Sequence, residues 1–307
     1  MLLVANLFWG LSFPLIKAIA LTHARVVPES GSWFITAMTL APRFVLAAGV
    51  LLVWQLRTLR SLSASEWRQG LGLGAFASAG MLFQTDGLQF TEASTSAFLT
   101  QLYAITIPIY LAIRLRRMPP WTVWLSCVLV LGGVAVLGRF DWRTLHLGRG
   151  ELETLVCSLF FMGQILWLEN KAFSGNRVLP VTLLMFTVEG AVFSALAFAT
   201  ASEPAHILAL WGSLPWVAFT VALTLICTVG AYVLMNTFQP RITATEAGLI
   251  YCVEPVFGSL MALFLPALFS AWAAISYANE TATAALLIGG GLITAANVLI
   301  QLKPLGK

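Results

Sequence analysis

The chain has 307 residues, of which 59% are hydrophobic and only 10% charged, and its mean hydropathy is +0.88. A soluble domain carries about 25% charged residues, so this chain cannot cover a water-facing surface and lipid must be its main solvent. The net charge of +4 does not point to nucleic acid, because the basic residues fall between apolar runs, as membrane orientation requires.

A helix that crosses the hydrocarbon needs about 20 mostly apolar residues. The first such run lies near 2–22. Met1 leads straight into it without a basic leader, and Asn6, Trp9 and Lys17 interrupt it, so it reads as a membrane helix and not as a cleavable signal. Further helices are predicted near 33–56, 68–88, 93–113 and 119–138, then near 150–172, 180–200, 213–235, 243–264 and 282–302. The apolar stretch Leu265–Tyr277 is too short to span and contains Pro266, so it is predicted as an interfacial or partly helical loop. The expected fold is all-α, with ten transmembrane helices in two inverted five-helix repeats. Residues 1–138 form the first, 139–149 the connecting loop and 150–307 the second.

An even number of spans puts both termini on one side. If that side is the cytoplasm, it holds Arg57, Arg60, Arg68, Arg114, Arg116, Arg117, Lys171, Arg177, Arg241, Lys303 and Lys307. The other side holds Arg25, Arg139, Arg143 and Arg149. The excess predicts both termini inside, against a local contradiction in the 139–149 connection. Trp33, Trp54, Trp67, Trp121, Trp142, Trp211, Trp216 and Trp272 fall at or just outside predicted span ends, where an amphipathic ring is most comfortable.

The halves share a weak pattern. Thr91-Glu92-Ala93-Ser94-Thr95-Ser96-Ala97 leads to Pro108, and Ile242-Thr243-Ala244-Thr245-Glu246-Ala247-Gly248 leads to Pro255. Five is odd, so a duplicated half inserts upside down, and inverted repeats place a binding site near the midplane between them.

Several motifs add to this. They are Phe8-Trp9-Gly10-Leu11-Ser12-Phe13 with Lys17, Arg43-Phe44, and Gly87-Leu88-Gln89-Phe90-Thr91 running to Ala97-Phe98-Leu99-Thr100. In the second half come Ala231-Tyr232-Val233-Leu234, Glu254-Pro255-Val256-Phe257 and Gly289-Gly290-Gly291-Leu292-Ile293. In their order and spacing the chain resembles EamA-type transporters of the drug/metabolite transporter superfamily. The resemblance implies secondary transport, commonly export of amino acids or other metabolites through a central cavity, and a bacterial inner membrane. Two departures concern loops: Arg114-Leu115-Arg116-Arg117 stands where the family has a Gly-Glu pair, and Leu265–Tyr277 looks inserted.

The residues that could carry function are polar or aromatic within spans. A carboxylate at Glu254, near the middle of the ninth span, costs about 2.5–3.5 kcal/mol or more if lipid-facing. It is read either as a cavity or proton-coupling group or as a structural carboxylate. Arg43 stays charged and needs an anionic partner, whether Glu189, Asp86, Glu254 or a substrate carboxylate. Glu189 is a second proton-coupling candidate or that partner, while Lys17 and Asp86 lie nearer span ends, where snorkelling is simpler. Trp9, Arg43, Gln101, Gln164, Trp167, Tyr232, Asn236, Tyr251 and Glu254 form the candidate substrate-binding set, because polar stripes at helical spacing either pack helix on helix or line a wet cavity. Gly70, Gly74, Ser78 and Gly289–Gly291 are assigned to helix packing.

The chain has no GxxxxGK[ST], HExxH or GxSxG motif, so ATP hydrolysis, metalloprotease and lipase chemistry lack their usual machinery. Cys127, Cys157, Cys227 and Cys252 lie in apolar runs without a CxxC pair, and His23, His146 and His206 are far apart, so no metal or other cofactor is expected. The expected partners are a small-molecule substrate, the lipid bilayer and protons as coupling ion, with no nucleic acid. The rival readings are a membrane enzyme acting on a lipid-linked substrate and a nucleotide-sugar-type exchanger.

Overall fold

In a hydrocarbon solvent every backbone N–H and C=O must be paired within the protein, which leaves helices as the natural state of these apolar runs. The computed structural model describes residues 1–55, 62–91, 93–139, 143 and 147–301, and among them the regular structure is entirely helical. Arg57, Arg60, Glu92, Trp142, His146, Lys303 and Lys307 lie outside the described residues.

The helices of the first half are α1 (Leu2–Val26), α2 (Ser32–Gln55), α3 (Ala64–Gly87), α4 (Ala93–Thr100), α5 (Tyr103–Leu115) and α6 (Trp121–Leu137). Those of the second are α7 (Arg149–Glu169), α8 (Val178–Thr200), α9 (Pro204–Trp211), α10 (Leu214–Ala222), α11 (Ala231–Phe238), α12 (Ala244–Tyr251), α13 (Glu254–Ala262), α14 (Leu265–Ala273) and α15 (Ala284–Gln301). A π-helical segment, Leu223–Gly230, joins α10 to α11.

Start and stop chemistry is local. Reciprocal capping boxes open α3 (Ser63 with Glu66) and α12 (Thr243 with Glu246), each pairing otherwise orphan N–H groups. Arg116, in the left-handed region at φ 51°, ends α5.

Among the described residues six stretches are long and apolar enough to cross a membrane: Leu2–Val26, Ser32–Gln55, Phe98–Leu115, Arg149–Glu169, Val178–Thr200 and Leu214–Arg241. A seventh is the pair Ala244–Ala262 and Leu265–Ala273, bent by 56°. α6 and α15 are apolar but shorter, and α3 is long but diluted by glycine, Gln69, Gln84 and Asp86. Leu265–Tyr277, expected as an interfacial or partly helical loop, is helical over Leu265–Ala273, which is α14. Phe269 and Trp272 pack on Phe219 with ring centroids 5.0 and 5.2 Å away. Arg25, at the end of α1, donates to the carbonyls of Ala273 and Ala274 at 3.2 and 2.9 Å, closing the C-terminus of α14.

Helix packing follows a pattern that survives exchange of the two halves. α2 packs on α8 and α6 on α15. α3 packs on α7, as α10–α11 pack on α1, and α1 lies against α12 and α13, as α7 lies against α4 and α5. Small residues allow the closest approaches. A Cβ on Gly70 or Gly74 would stand 2.5 or 2.6 Å from the Cβ of Leu184 or Val188 in α8, and one on Gly289 would stand 2.5 Å from the Gly133 carbonyl oxygen. Gly291 meets nothing within 4 Å. Large apolar side chains such as Val53, Ile113, Phe198 and Leu287 face outward, as a lipid-solvated belt requires.

Candidate functional site: a polar and aromatic cluster at two helix breaks

Two of the predicted spans, 93–113 and 243–264, break after an eight-residue helix. α4 stops at Thr100 and α5 resumes at Tyr103; α12 stops at Tyr251 and α13 resumes at Glu254. Pro255 explains the second break, because a proline in the first turn of α13 supplies no N–H to continue α12. The break residues meet: the Cys252 thiol donates to Gln101 Oε1 at 3.0 Å and to the Gly248 carbonyl at 3.2 Å.

Around this junction the aromatic rings are layered. Trp9 of α1 packs edge-on against Tyr232 at 5.5 Å and Tyr251 at 5.4 Å. Tyr232 also packs against Phe186 at 5.8 Å and Phe44 at 6.5 Å, and Phe44 stacks on Phe193 at 5.9 Å. Trp9 Nε1 is buried without a hydrogen-bond partner.

Arg43 is only 2% exposed. Its Nε donates to Thr228 Oγ1 at 2.5 Å, and its guanidinium lies 5.2 Å from the centre of the Phe44 ring. The π-helical segment sets this contact. Its wider turn lets Thr228 Oγ1 donate to the carbonyl five residues back, at Leu223, while Thr224 Oγ1 donates to Thr220 and lies 3.4 Å from the Arg43 carbonyl. Of the anionic partners open to Arg43, namely Glu189, Asp86, Glu254 or a substrate carboxylate, none of the three side chains pairs with it. Among the described residues it makes no ion pair, because Asp86 is taken by Arg149, while Glu189 and Glu254 feel its charge from beyond ion-pair distance. Glu189 is fully buried and neither of its oxygens accepts a hydrogen bond. Glu254 is partly exposed at the first position of α13.

Other predicted site residues spread along the bundle. The Tyr251 hydroxyl donates to Gln239 Oε1 at 2.8 Å, and Gln239 Nε2 to the Ile165 carbonyl at 2.9 Å, which ties the α12 end to α7. Gln164, buried on α7, leaves its Nε2 unpaired. Asn236 donates to Thr182 of α8 at 2.9 Å, one turn below Tyr232. Trp167 is turned away from the cluster. Its Nε1 donates to the Gln69 carbonyl at 3.2 Å, and the ring fills the space that Gly72 leaves open in α3.

Asp86 does not snorkel. It is fully buried and takes Arg149 Nη2 at 2.5 Å, while Arg149 Nε reaches Glu153 at 2.8 Å and its guanidinium lies 4.1 Å from the centre of Phe90. At the other end of α3, Glu66 holds Arg177 at 2.6 Å and Gln69 holds Asn176 at 2.8 Å. Residues missed from sequence are thus Cys252, Gln239, Thr224 and the Asp86–Arg149 pair; the threonines at four-residue spacing before Tyr232 were the available signal.

The surface grooves among the described residues include two between helices. One, of about 520 Å³, is lined by Val45, Gly49, Leu52, Trp67, Leu184 and Thr187 among others, and the second, of about 390 Å³, by Glu169, Lys171, Arg241, Thr243 and Glu246 among others. Neither is lined by Trp9, Arg43 or Glu254. Among the described residues no cluster of three metal-ligating side chains occurs.

Comparison with known proteins agrees with this architecture. The model of the EamA-like transporter family matches residues 1–139. An uncharacterized transporter of Archaeoglobus fulgidus is 22% identical over 306 residues, covering 98% of this chain and 85% of the relative. A solved crystal structure, 18% identical, shares the fold with a TM-score of 0.65 over 97% of this chain and 96% of that one. Family and relative support a membrane transporter. The chain is therefore an integral membrane protein whose residues 1–139 match the EamA-like transporter family.

Proposed function

We propose that the chain is a secondary transporter that exports small metabolites, such as amino acids, related metabolites or drugs, by alternating access between two inverted five-helix repeats. In this reading α1 corresponds to α7, α2 to α8, α3 to α10–α11, α4–α5 to α12–α13, and α6 to α15. Ten spans then place both termini in the cytoplasm, and the membrane is a bacterial inner membrane. Supporting this is the packing pattern that survives exchange of the halves, with the two broken helices meeting at Gln101 and Cys252. Broken helices expose unpaired backbone groups, which is where carriers of this kind hold their cargo.

Trp9, Arg43, Gln101, Tyr232, Tyr251 and Glu254 form the centre of the binding site. Gln164 and Asn236 lie on the route towards the α7–α12 groove, and Trp167 supports α7 from outside. Glu254 and Glu189 are the groups that would carry a coupling proton. The test is substrate uptake into inverted membrane vesicles with a metabolite panel. Uptake by the unaltered protein should collapse in Arg43→Ala and Glu254→Ala variants that still insert. Undiminished uptake by both removes the cluster from the mechanism, and a rate indifferent to an imposed pH gradient removes proton coupling.

A further inference from the structure

Several membrane-spanning stretches begin or end at one place. Arg149–Glu169 and Leu214–Arg241 end there, and Ala244–Ala262 begins there. The groove of about 390 Å³ between α7 and α12 lies at these ends, and its charged lining is Glu169, Lys171, Arg241 and Glu246. Span ends mark the boundary between hydrocarbon and water, so the groove stands at the depth of lipid headgroups.

Its four charges do not collapse onto one another. Among the described residues neither Lys171 nor Arg241 makes an ion pair. The Arg241 guanidinium lies 4.7 Å from the centre of the Phe238 ring, a contact that uses none of its N–H donors. Glu246 spends Oε2 on the Thr243 N–H and hydroxyl, at 2.9 and 3.0 Å, and its Oε1 accepts nothing among the described residues. Glu246 repels the charge of partly buried Glu169 and Lys171 attracts it, from beyond ion-pair distance. Carboxyl groups open to water are ionised near neutral pH. The groove thus offers two free cations beside two carboxylates.

A simple anion would be opposed by the carboxylates, and a simple cation by Lys171 and Arg241. A ligand that carries both signs close together satisfies all four. An arginine fork suits phosphate oxygens, and a primary ammonium can donate to carboxylates as a quaternary one cannot.

We propose that this groove binds a phosphoethanolamine group, presented by a membrane phospholipid. Its phosphate lies against Arg241 and Lys171, and its ammonium donates to Glu246 Oε1 and to the Glu169 carboxylate. The inference needs only a chain seated in a bilayer and does not depend on what the chain carries.

The test uses the full-length protein in a neutral detergent, with bound lipid counted by native mass spectrometry. The probes share dihexanoyl tails and differ in headgroup: phosphatidylethanolamine, phosphatidylcholine and phosphatidylglycerol. The ethanolamine lipid should bind at least about tenfold tighter than either companion. Glu169→Gln should remove most of that preference while the other two lipids bind as before. Arg241→Gln, at an exposed side chain, should weaken all three alike, because the phosphate is common to them. Tail-less glycerophosphoethanolamine separates the sources of the group. Weaker binding than the acylated form supports a lipid, and equal binding overturns the lipid while supporting the headgroup chemistry. Equal binding of the three lipids, tighter binding of phosphatidylglycerol, or affinities that neither substitution changes overturn the proposal.

Discussion

Cys252 donates its thiol hydrogen to Gln101 Oε1 at 3.0 Å, and each of these residues is the first after its eight-residue helix stops. The contact joins the interruption in one half of the chain to the interruption in the other. It also places the Glu254 carboxylate two residues from the junction, at the N-terminus of a helix, where the backbone dipole favours negative charge.

The Arg43–Thr228 bond gives a direct test of the π-helical segment. Thr228→Val keeps the shape but leaves a buried guanidinium N–H without an acceptor, an expected loss of about 1–3 kcal/mol. Thr228→Ser restores the hydroxyl. Thermal unfolding in detergent should show a clear drop for the valine variant and near recovery for the serine one; equal midpoints would mean that the hydroxyl does not matter.

The α6–α15 contact makes a second, sharper comparison. Gly289→Ala would push a methyl to 2.5 Å from the Gly133 carbonyl oxygen, so the helices must part, at an expected cost of about 1–3 kcal/mol. Gly291→Ala, two residues on, meets open space and should be nearly neutral. A chemical-denaturation series on both variants tests the assignment, which fails if the two behave alike.

For Asp86 and Arg149 the expected order of damage is unequal. Arg149 is 43% exposed and can turn to water when its partner is lost, whereas Asp86 is fully buried and cannot. Arg149→Ala should therefore lower the melting temperature more than Asp86→Asn does, and the double variant should recover part of the difference. The reverse order would show that the carboxylate reaches solvent on its own.

Much of this fold was legible in the sequence, for reasons that also explain the gaps. The apolar runs of α1, α2, α7 and α8 announce themselves by length, since nothing else buries 20 or so apolar residues in a row. The helix break at 101–102 does not, because Thr100, Gln101 and Leu102 suit a continuous helix as well as an interrupted one, whereas the break at 252–253 has Pro255 as its signal. Arg43 looked like half of an ion pair because a hydroxyl 185 residues away could not be foreseen as its acceptor. Trp167 shares a helical stripe with Gln164, and only the space left by Gly72 shows why it points to α3. Asp86 sat near a span end, and its partner lies across the connection between the halves.

Glu66 provides the pH-dependent prediction. In the first turn of α3, its carboxyl is lowered from an ordinary value near 4.5 to about 2, chiefly by the Arg177 side-chain hydrogen bond. A lowered folded-state value means that the contribution to stability is complete above about pH 4.5 and fades as the pH falls from there towards 2. Melting temperatures across that acid range should fall more steeply in the unaltered protein than in Glu66→Gln. Parallel profiles would assign the acid sensitivity elsewhere.

The clasp of Arg25 on the carbonyls of Ala273 and Ala274 couples motions as well as ends. α14 continues from α13 through a bend, and α13 follows directly on the break that carries Cys252. A tilt of the C-terminal end of α1 would be passed by the clasp to α14, and through the bend to the helix that presents Glu254. The segment that looks like an insertion thereby ties the end of α1 to the helix that carries the carboxylate.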